Sequence, residues 1–146
     1  MTVNQHLRTA ALLSVALFAL AAPSCGKGPK PVYPVRGKVV DGNQRPAVGA
    51  TVILHPVEED DPEQPKPVGT VDDNGEFTLM TYKRGDGAPA GEYFVTLIWV
   101  PARKSLADPE PTDLLGGRYA LPKESPVPKF KVEPTGSNEV PTIQLK

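Results

Sequence analysis

The chain has 146 residues, and its 18 prolines and 13 glycines make up about a fifth of it. Apolar residues reach 39%, which is too many for a plainly disordered chain, and the frequent prolines exclude a mainly helical one. The 16 basic and 17 acidic residues nearly balance, so the composition gives no electrostatic footprint for nucleic acid, and no nucleic-acid partner is expected. The length suits one domain of ordinary size.

The first 24 residues differ in character from everything that follows. Arg8 lies in a short polar start, and the run Thr9–Ala22 carries no charge. This run is shorter than the roughly 20 apolar residues that cross a bilayer, and the whole pattern is typical of a secretory signal peptide, a signal helix over residues 1–24. The alternative is an N-terminal membrane or core helix, which Pro23 and Gly26 oppose because they stop helices.

Cys25 is the single cysteine and follows this apolar run directly. A lone cysteine in an exported chain cannot form an internal disulfide. The stretch from Leu20 to Gly26 resembles a bacterial lipobox, with Ser24 as the small residue before the cut and Ala22 where leucine is commonest. The resemblance implies that the signal peptide is removed before Cys25 and that its thiol carries a diacylglycerol. A conventional cut that leaves a free thiol is the alternative.

Residues 25–32 are rich in glycine, lysine and proline and are interpreted as a flexible tether. Several acyl chains on one cysteine anchor a protein firmly, because each buried methylene contributes about 0.8 kcal/mol. The expected location is therefore the cell envelope, with the membrane as a partner through acylated Cys25. By resemblance to enteric sorting, Gly26 favours the outer membrane or its periplasmic face, because it is not the aspartate that retains lipoproteins in the inner membrane.

From residue 33 the sequence alternates with a period of two between turn residues, which predicts strands. Asn74 and Gly75 stand between two extended runs and predict a hairpin. The run 92–100 is apolar at both parities and predicts a buried central strand. The segment 102–122 is expected to be a long excursion with one helical turn around 112–115, and loops of this length are often functional. The predicted strands are 33–39, 50–55, 67–71, 76–81, 92–100, 127–132 and 140–145. Together they predict a seven-strand antiparallel β-sandwich over residues 33–146.

Three blocks within residues 33–100 are similar to a carboxypeptidase regulatory-like domain. They comprise Gly37, Val39, Asp41, Pro46, Ala50 and Val52, then Asp72, Gly75 and Phe77, then Gly91 and Tyr93. The tail is similar to small bacterial lipoproteins that carry this domain, through Arg118-Tyr119, Ser125-Pro126-Val127 and Ile143-Gln144-Leu145. Arg45 departs from the family pattern, which often has glycine there. The resemblance implies a transthyretin-like, or prealbumin-like, sandwich whose motifs build a scaffold and supply no chemistry.

His55 is the single histidine after the signal peptide. A zinc site of histidine and cysteine ligands is therefore not expected, and neither is any cofactor. A Ser-His-Asp triad would have to use His55, but the chain has no Gly-x-Ser-x-Gly elbow, so a half-buried or exposed strand-end histidine is expected instead. Trp99, Tyr82 and Tyr119 are the candidate glycan-binding aromatics, and the parity of Trp99 favours core packing.

Two further kinds of site stay open from the sequence. The acidic run 58–63 and the stretch 72–76 group oxygen ligands that suit calcium, but a solvated loop and a hairpin turn explain them equally well. Lys38 and Asn138 resemble the partners of an isopeptide crosslink known in relatives of this fold on bacterial surfaces.

The sequence as a whole predicts a non-enzymatic, lipid-anchored protein of the bacterial cell envelope, a β-sandwich that serves as a binding or structural module. Its partner would be an envelope protein or a glycan. The alternative is a secreted or periplasmic domain that binds glycan or peptide without a lipid anchor.

Overall fold

The computed structural model describes residues 28–58, 62–103, 105, 107 and 109–146. All regular structure in this part of the chain is β, and it contains no helix. The strands are β1 Val32–Tyr33, β2 Val35–Val40, β3 Thr51–Pro56, β4 Val68–Thr70, β5 Glu76–Thr78, β6 Ala88–Pro89, β7 Gly91–Ile98, β8 Phe130–Val132, β9 Asn138–Glu139 and β10 Ile143–Gln144. The all-β prediction is confirmed, whereas the predicted signal helix and Cys25 lie outside the described residues.

Two four-stranded sheets form a sandwich-like body. The first has the order β4-β3-β7-β8 and is antiparallel throughout, with β7 in its middle as the sequence predicts. The second has the order β10-β2-β5, with β9 also paired to β2. A two-stranded ribbon of β1 and β6 lies beside them. The described residues thus contain ten strands, three more than the seven predicted, because the predicted strand 33–39 divides into β1 and β2 and the two-residue strands β6 and β9 lack an alternating pattern of their own.

The purely antiparallel pairing that the sequence predicts is wrong for the tail. Asn138 pairs with Val35, and Ile143 pairs with Val39, so β9 and β10 both run parallel to β2. The chain crosses from β8 in the first sheet to β9 in the second through a turn that Asn138 holds. Its side-chain oxygen accepts from the backbone N–H of Glu133 at 2.8 Å, and its amide nitrogen donates to the Glu133 carbonyl at 3.1 Å. Asn138 is buried, so its amide stabilises the crossing between the sheets.

The turn at residues 72–75 forms as predicted, and the hairpin forms in part: the Asp72 N–H donates to the Glu76 carbonyl at 2.8 Å, and Val68 and Met80 exchange two backbone hydrogen bonds as an antiparallel bridge. Gly75 has a φ of +82°, and the Asp72 carboxylate accepts from the backbone N–H of both Asn74 and Glu76 at 2.9 Å. After the turn, however, β5 pairs with β2, whereas β4 pairs with β3 in the other sheet. The two extended runs are therefore bonded to each other at the ends of the predicted hairpin, but the strands β4 and β5 have their main partners in different sheets. Turn chemistry is local, but the choice of a pairing partner depends on distant strands.

The core lies between the facing surfaces of the two sheets. Val39 and Phe77 of the second sheet and Leu54, Val95 and Leu97 of the first belong to one buried cluster. Phe77 packs directly over β2, because a Cβ added at Gly37 would lie 2.6 Å from its Cζ. The glycine of the first motif block thus makes room for the phenylalanine of the second.

Residues 113–125 cover the edge of β7 that β8 leaves open. The backbone N–H of Leu97 donates to the Tyr119 carbonyl at 3.0 Å, and the Ser125 hydroxyl donates to the Val95 carbonyl at 2.7 Å. This excursion therefore protects a strand edge that would otherwise expose unsatisfied backbone groups. At the predicted helical turn around 112–115 the chain forms a single hydrogen-bonded turn instead of a helix, in which the Gly116 N–H donates to the Asp113 carbonyl at 3.0 Å. The positive φ of Gly116 and Gly117 then prevents a helical continuation.

Besides Asp72, three aspartates hold turns together by accepting several hydrogen bonds each. Partial burial acts to raise the pKa of Asp86 and Asp113, but the backbone N–H groups that donate to these carboxylates outweigh it and hold the pKa below the ordinary 3.8. The backbone N–H of Arg45, aided by its guanidinium, lowers the pKa of Asp41. The donors are Asn43 and Arg45 for Asp41, Thr81, Tyr82 and Lys83 for Asp86, and Trp99, Leu115 and Gly117 for Asp113.

We expect the free energy of unfolding to decrease as the pH falls below about 4. A carboxyl group with a lower pKa in the folded state binds more protons in the unfolded chain, so its stabilisation is complete above the ordinary pKa of 3.8 and is lost as the pH falls through the folded value. Urea unfolding at a series of pH values measures this, and Asp113→Asn should lose less stability over the same interval. Carboxyl titration midpoints at or above 3.8 for Asp41, Asp86 and Asp113 in NMR spectra would contradict the prediction.

Candidate functional site

The structure gives most of the sequence-predicted site residues that it describes a packing or hydrogen-bonding role. His55 is half-buried near the end of β3, as expected, and its Nε2 lies 2.9 Å from the hydroxyl oxygen of the buried Thr96. Cys25 lies outside the described residues, so its lipidation stays a prediction. No cluster of three or more histidine, cysteine, aspartate or glutamate side chains suited to a metal occurs within the described ranges.

The structure describes one of the two candidate calcium sites fully and the other only in part. In the stretch 72–76, the Asp72 carboxylate is engaged by the backbone of its own turn. In the acidic run 58–63, residues 59–61 lie outside the described part of the chain. The turn at Asp72 therefore has a sufficient structural explanation without an ion.

Lys38 and Asn138 are not brought together as crosslinking partners. Asn138 lies opposite Val35 in the parallel pairing, and its amide donates to the carbonyl oxygens of Glu133 and Pro34. Lys38 is exposed further along β2, where it pairs with Glu76 of β5. The amide of Asn138 is therefore used to hold the turn before β9.

The candidate aromatics for glycan binding have structural roles as well. Trp99 packs against the core, as its parity predicts, and its indole N–H donates to the Val48 carbonyl at 2.9 Å. Tyr119 is buried. Tyr82 is more exposed, and its hydroxyl accepts from the backbone N–H of Lys30 at 3.0 Å. The segment before β1 is thus fastened to the body at Tyr82.

An open groove of about 310 Å³ lies along the edge where the two sheets face each other. One wall is residues 126–130, which lead into β8 at the edge of the first sheet. The other wall is residues 140–144, which lead into and include β10 at the edge of the second sheet. Arg118 and Tyr119 also line the groove. We refer to this feature as the edge groove.

The walls of the edge groove are mainly apolar. Val140 and Ile143 are buried members of the core, and Val127 and Phe130 are half-buried against it. Apolar side chains that are packed beneath and open above form a preformed surface, which is what small-molecule sites usually present.

Every charged side chain among the residues that line the edge groove is basic: Arg118, Lys129 and Lys146. One end of the groove is fixed by a connection between its two walls. There the Arg118 Nη1 donates to the backbone oxygen of Lys146 at 2.6 Å, and the backbone N–H of Lys146 donates to the Tyr119 hydroxyl at 3.0 Å. These bonds hold the Arg118 side chain and the Tyr119 hydroxyl against the backbone of Lys146 at this end.

Lys129 differs from these two residues. Its Nζ lies 3.3 Å from a carboxylate oxygen of Glu92 and 5.2 Å from the ring centre of Phe94. Both are contacts of exposed or half-buried groups and are weak. Lys129 is therefore weakly engaged by Glu92 and Phe94, whereas the Arg118 guanidinium is bonded to the backbone oxygen of Lys146.

The sequence contains no direct signal for the edge groove. Its walls are separate in the chain and are joined only because the tail pairs with β2 rather than with β8. The residues Arg118, Tyr119, Val127 and Ile143 stand in the tail segments that resemble small bacterial lipoproteins, but that resemblance does not indicate that they meet.

Comparison with known proteins places the chain in no family. No family profile matches it, and no curated protein matches it. A solved structure that it resembles is titled a 9R-lipoxygenase from Cyanothece PCC8801, with 12% sequence identity and a TM-score of 0.41. The similarity covers 78% of this chain but only 16% of that one.

This comparison corrects one expectation. The sequence predicts that the chain is not an enzyme, whereas the solved structure that it resembles carries the name of one, so that prediction is not retained. At this TM-score the likeness does not assign an activity or a substrate to the chain either. Separately, the part of the chain that the structure describes contains no helix of a length and apolarity that would span a bilayer.

Proposed function

We propose that the chain is a lipid-anchored protein of the bacterial cell envelope whose sandwich-like body serves as a binding module. The binding role rests on the edge groove, an apolar depression whose charged lining residues are all basic. The proposed location in the cell envelope rests on the sequence around Cys25, which follows an apolar run and precedes a stretch rich in glycine and lysine.

The body is proposed to be a transthyretin-like domain of the carboxypeptidase regulatory-like type. Two observations support this. The glycine and the phenylalanine of two motif blocks, Gly37 and Phe77, pack against each other, and Asp72 and Gly75 of the second block form a hydrogen-bonded turn between the sheets. The motif residues thus occupy positions at which the fold requires their side chains.

An acyl group on Cys25 would hold this body close to the membrane. Lys30 is fastened to Tyr82, so five peptide units separate Cys25 from the body. Fully extended, five residues span at most about 18 Å. The anchored end of the body would then lie near the lipid headgroups. The edge groove would be held close to the membrane and could not move far from it.

We expect Cys25→Ser to abolish lipid attachment. The thiol is the atom that would carry the diacylglycerol, and a hydroxyl does not replace it in the resemblance on which this proposal rests. Labelling of cells with radioactive palmitate, followed by purification of the protein, measures the attachment directly. The matched control, Ser24→Ala, keeps a small residue before the cut and should keep the label.

The outcomes distinguish the two locations that the sequence leaves open, a lipid-anchored protein of the envelope and a secreted or periplasmic domain. A wild-type protein that takes up no palmitate and is recovered in the soluble fraction would identify a secreted or periplasmic module instead. Equal labelling of the wild type and of Cys25→Ser would place the acyl group elsewhere and contradict the role of this cysteine.

A further inference from the structure

We propose that Asn74 is a site of spontaneous chemical modification, at which the side-chain amide is converted to a carboxylate when the turn at residues 72–75 opens. This inference is independent of the lipid anchor and of the edge groove. It is carried by the Asn-Gly pair, by the freedom of the Asn74 side chain and by the hydrogen bonds that hold Gly75 in the turn.

The reaction needs water as its single co-reactant. The backbone nitrogen of Gly75 attacks the side-chain carbonyl carbon of Asn74, and the new C–N bond closes a succinimide ring. The C–N bond of the side-chain amide breaks, and ammonia leaves with the proton that the Gly75 nitrogen gives up. Water then opens the ring at either carbonyl, which yields aspartate or isoaspartate. Glycine after asparagine favours the attack, because no side chain shields its nitrogen.

Two other dipeptides of the chain can close the same ring, because each has aspartate before glycine. They are Asp41-Gly42 and Asp86-Gly87. Backbone N–H groups donate to both carboxylates and hold each pKa below the ordinary 3.8, which for Asp86 outweighs the opposing effect of desolvation. An ionised carboxylate repels an attacking nitrogen and has no good leaving group. Both aspartates are therefore protected at neutral pH.

The side chain of Asn74 has no such protection. The residue is exposed, and its side-chain amide makes no hydrogen bond with any residue that the structure describes. An amide carries no charge at neutral pH, so its carbonyl carbon stays open to attack. Asn74 therefore has the most reactive side chain of the three dipeptides.

The closed turn prevents the attack through Gly75. The Gly75 N–H donates to the Asp72 carbonyl at 3.0 Å, and the Gly75 carbonyl accepts from the Val39 N–H at 2.8 Å. The nitrogen must give up its proton to attack, and in the closed turn that proton lies in the bond to Asp72. The Asp72 carboxylate closes the turn further, because it accepts from the backbone N–H of Asn74 and Glu76. Ring closure therefore requires a local opening that breaks these bonds.

The product fits the closed turn less well than asparagine does. Aspartate at this position adds a negative charge beside Asp72, Asp73 and Glu76, which repel it. Isoaspartate lengthens the main chain by one carbon atom directly before Gly75, whose carbonyl must still reach the Val39 N–H. The modification is thus an irreversible loosening of the contact between the turn and β2.

The test is to age the purified protein in neutral buffer beside a synthetic peptide of residues 69–80, which serves as the open reference. Peptide mapping by mass spectrometry, with detection of isoaspartate, follows each site. In the folded protein we expect deamidation at Asn74 and not at Asn43 or Asn138. Its rate should be at least about tenfold below that of the peptide, which corresponds to an opening free energy of at least about 1.4 kcal/mol.

A matched pair of variants tests the role of the Asp72 carboxylate. Asp72→Ala removes the acceptor that closes the turn and should raise the rate in the folded protein at least about threefold. Asp73→Ala removes the same charge from an exposed side chain that bonds to none of the described residues, and it should leave the rate unchanged. Asn74→Gln should abolish the reaction, because the longer side chain closes a ring far more slowly. Circular dichroism checks that each variant is folded.

Hydrogen exchange measures the same opening in the wild type and so keeps the test decisive if Asp72→Ala does not fold. The Gly75 N–H exchanges when its bond to Asp72 breaks. Its protection should match, within about threefold, the factor by which folding slows deamidation of Asn74 relative to the peptide. A poor match would show that another motion controls the reaction and would overturn the proposal.

Three further results would overturn it. They are equal rates in the folded protein and the peptide, isoaspartate at Asp41 or Asp86 as fast as at Asn74, and equal responses to Asp72→Ala and Asp73→Ala in folded protein.

Discussion

Gly87→Ala is expected to cost several kcal/mol of stability and to leave little folded protein. Gly87 has a φ of +95°, and an added Cβ would overlap the carbonyl group of Tyr33 and lie 2.8 Å from the Cα of Pro34. Neither backbone can move aside easily, because Tyr33 pairs with Ala88 in the ribbon and the Gly87 N–H donates to the Leu79 carbonyl at 3.0 Å. Backbone strain and overpacking each cost about 1–3 kcal/mol, against a typical domain stability of about 5–15 kcal/mol.

Gly85→Ala is the matched control in the same loop. Gly85 also has a positive φ, +73°, but the nearest atom to its added Cβ is the Thr78 Cγ2 at 3.8 Å. Only the strain of the left-handed conformation remains, at about 1–2 kcal/mol. Urea unfolding monitored by circular dichroism compares the two variants. If both lose the same free energy, the close approach of the loop to Tyr33 is not what requires glycine at position 87.

Phe77→Ala is expected to lower the free energy of unfolding by about 3–5 kcal/mol. The ring is 2% exposed and packs over Gly37 between the two sheets, so its removal leaves a cavity that β2 and β5 cannot fill. The matched control is Phe94→Ala, on the outer face of β7, where the ring is half-buried and contacts Lys129. Its loss should be clearly smaller, because less apolar surface becomes exposed to water.

A double-mutant cycle isolates the contact itself. Gly37→Ala places a Cβ 2.6 Å from the Phe77 ring, so it should destabilise the wild type strongly and the Phe77→Ala variant less. Some cost remains in both, because the new Cβ would also lie 2.9 Å from the Val140 Cβ. Strictly additive free energies in thermal or urea unfolding would show that the two positions do not interact, and would contradict the packing described here.

The sequence predicts secondary structure well wherever the signal is local. The alternation of apolar and polar residues locates β2 and β3, the run that is apolar at both parities locates β7, and the Asn-Gly pair locates the turn at Gly75. These features depend on neighbouring residues, through the side-chain period of a strand and the tolerance of glycine for positive φ. The two-residue strands β6 and β9 escape prediction, because two residues cannot show a period, whereas β10 lies within the predicted strand 140–145.

The candidate site could not be predicted in the same way. The edge groove needs Arg118 to meet Lys146, and its two walls stand on strands of different sheets. Which strand pairs with which depends on the free energy of the whole arrangement, because any extended segment offers the same backbone donors and acceptors. Residue patterns along the chain therefore cannot predict the edge groove, because it forms only when strands of both sheets pair as they do.

By itself, the sequence determined that the regular structure of the described residues is β-strand, where the main strands lie and which residues turn the chain. These features are local, because proline, glycine and alternating side chains act over a few residues. Only the tertiary structure decided that β4 and β5 separate into two sheets, that the tail runs parallel to β2 and that an apolar groove with basic lining charges opens at the sheet edges. These outcomes come from contacts between residues far apart in the chain, whose free energies no local pattern encodes.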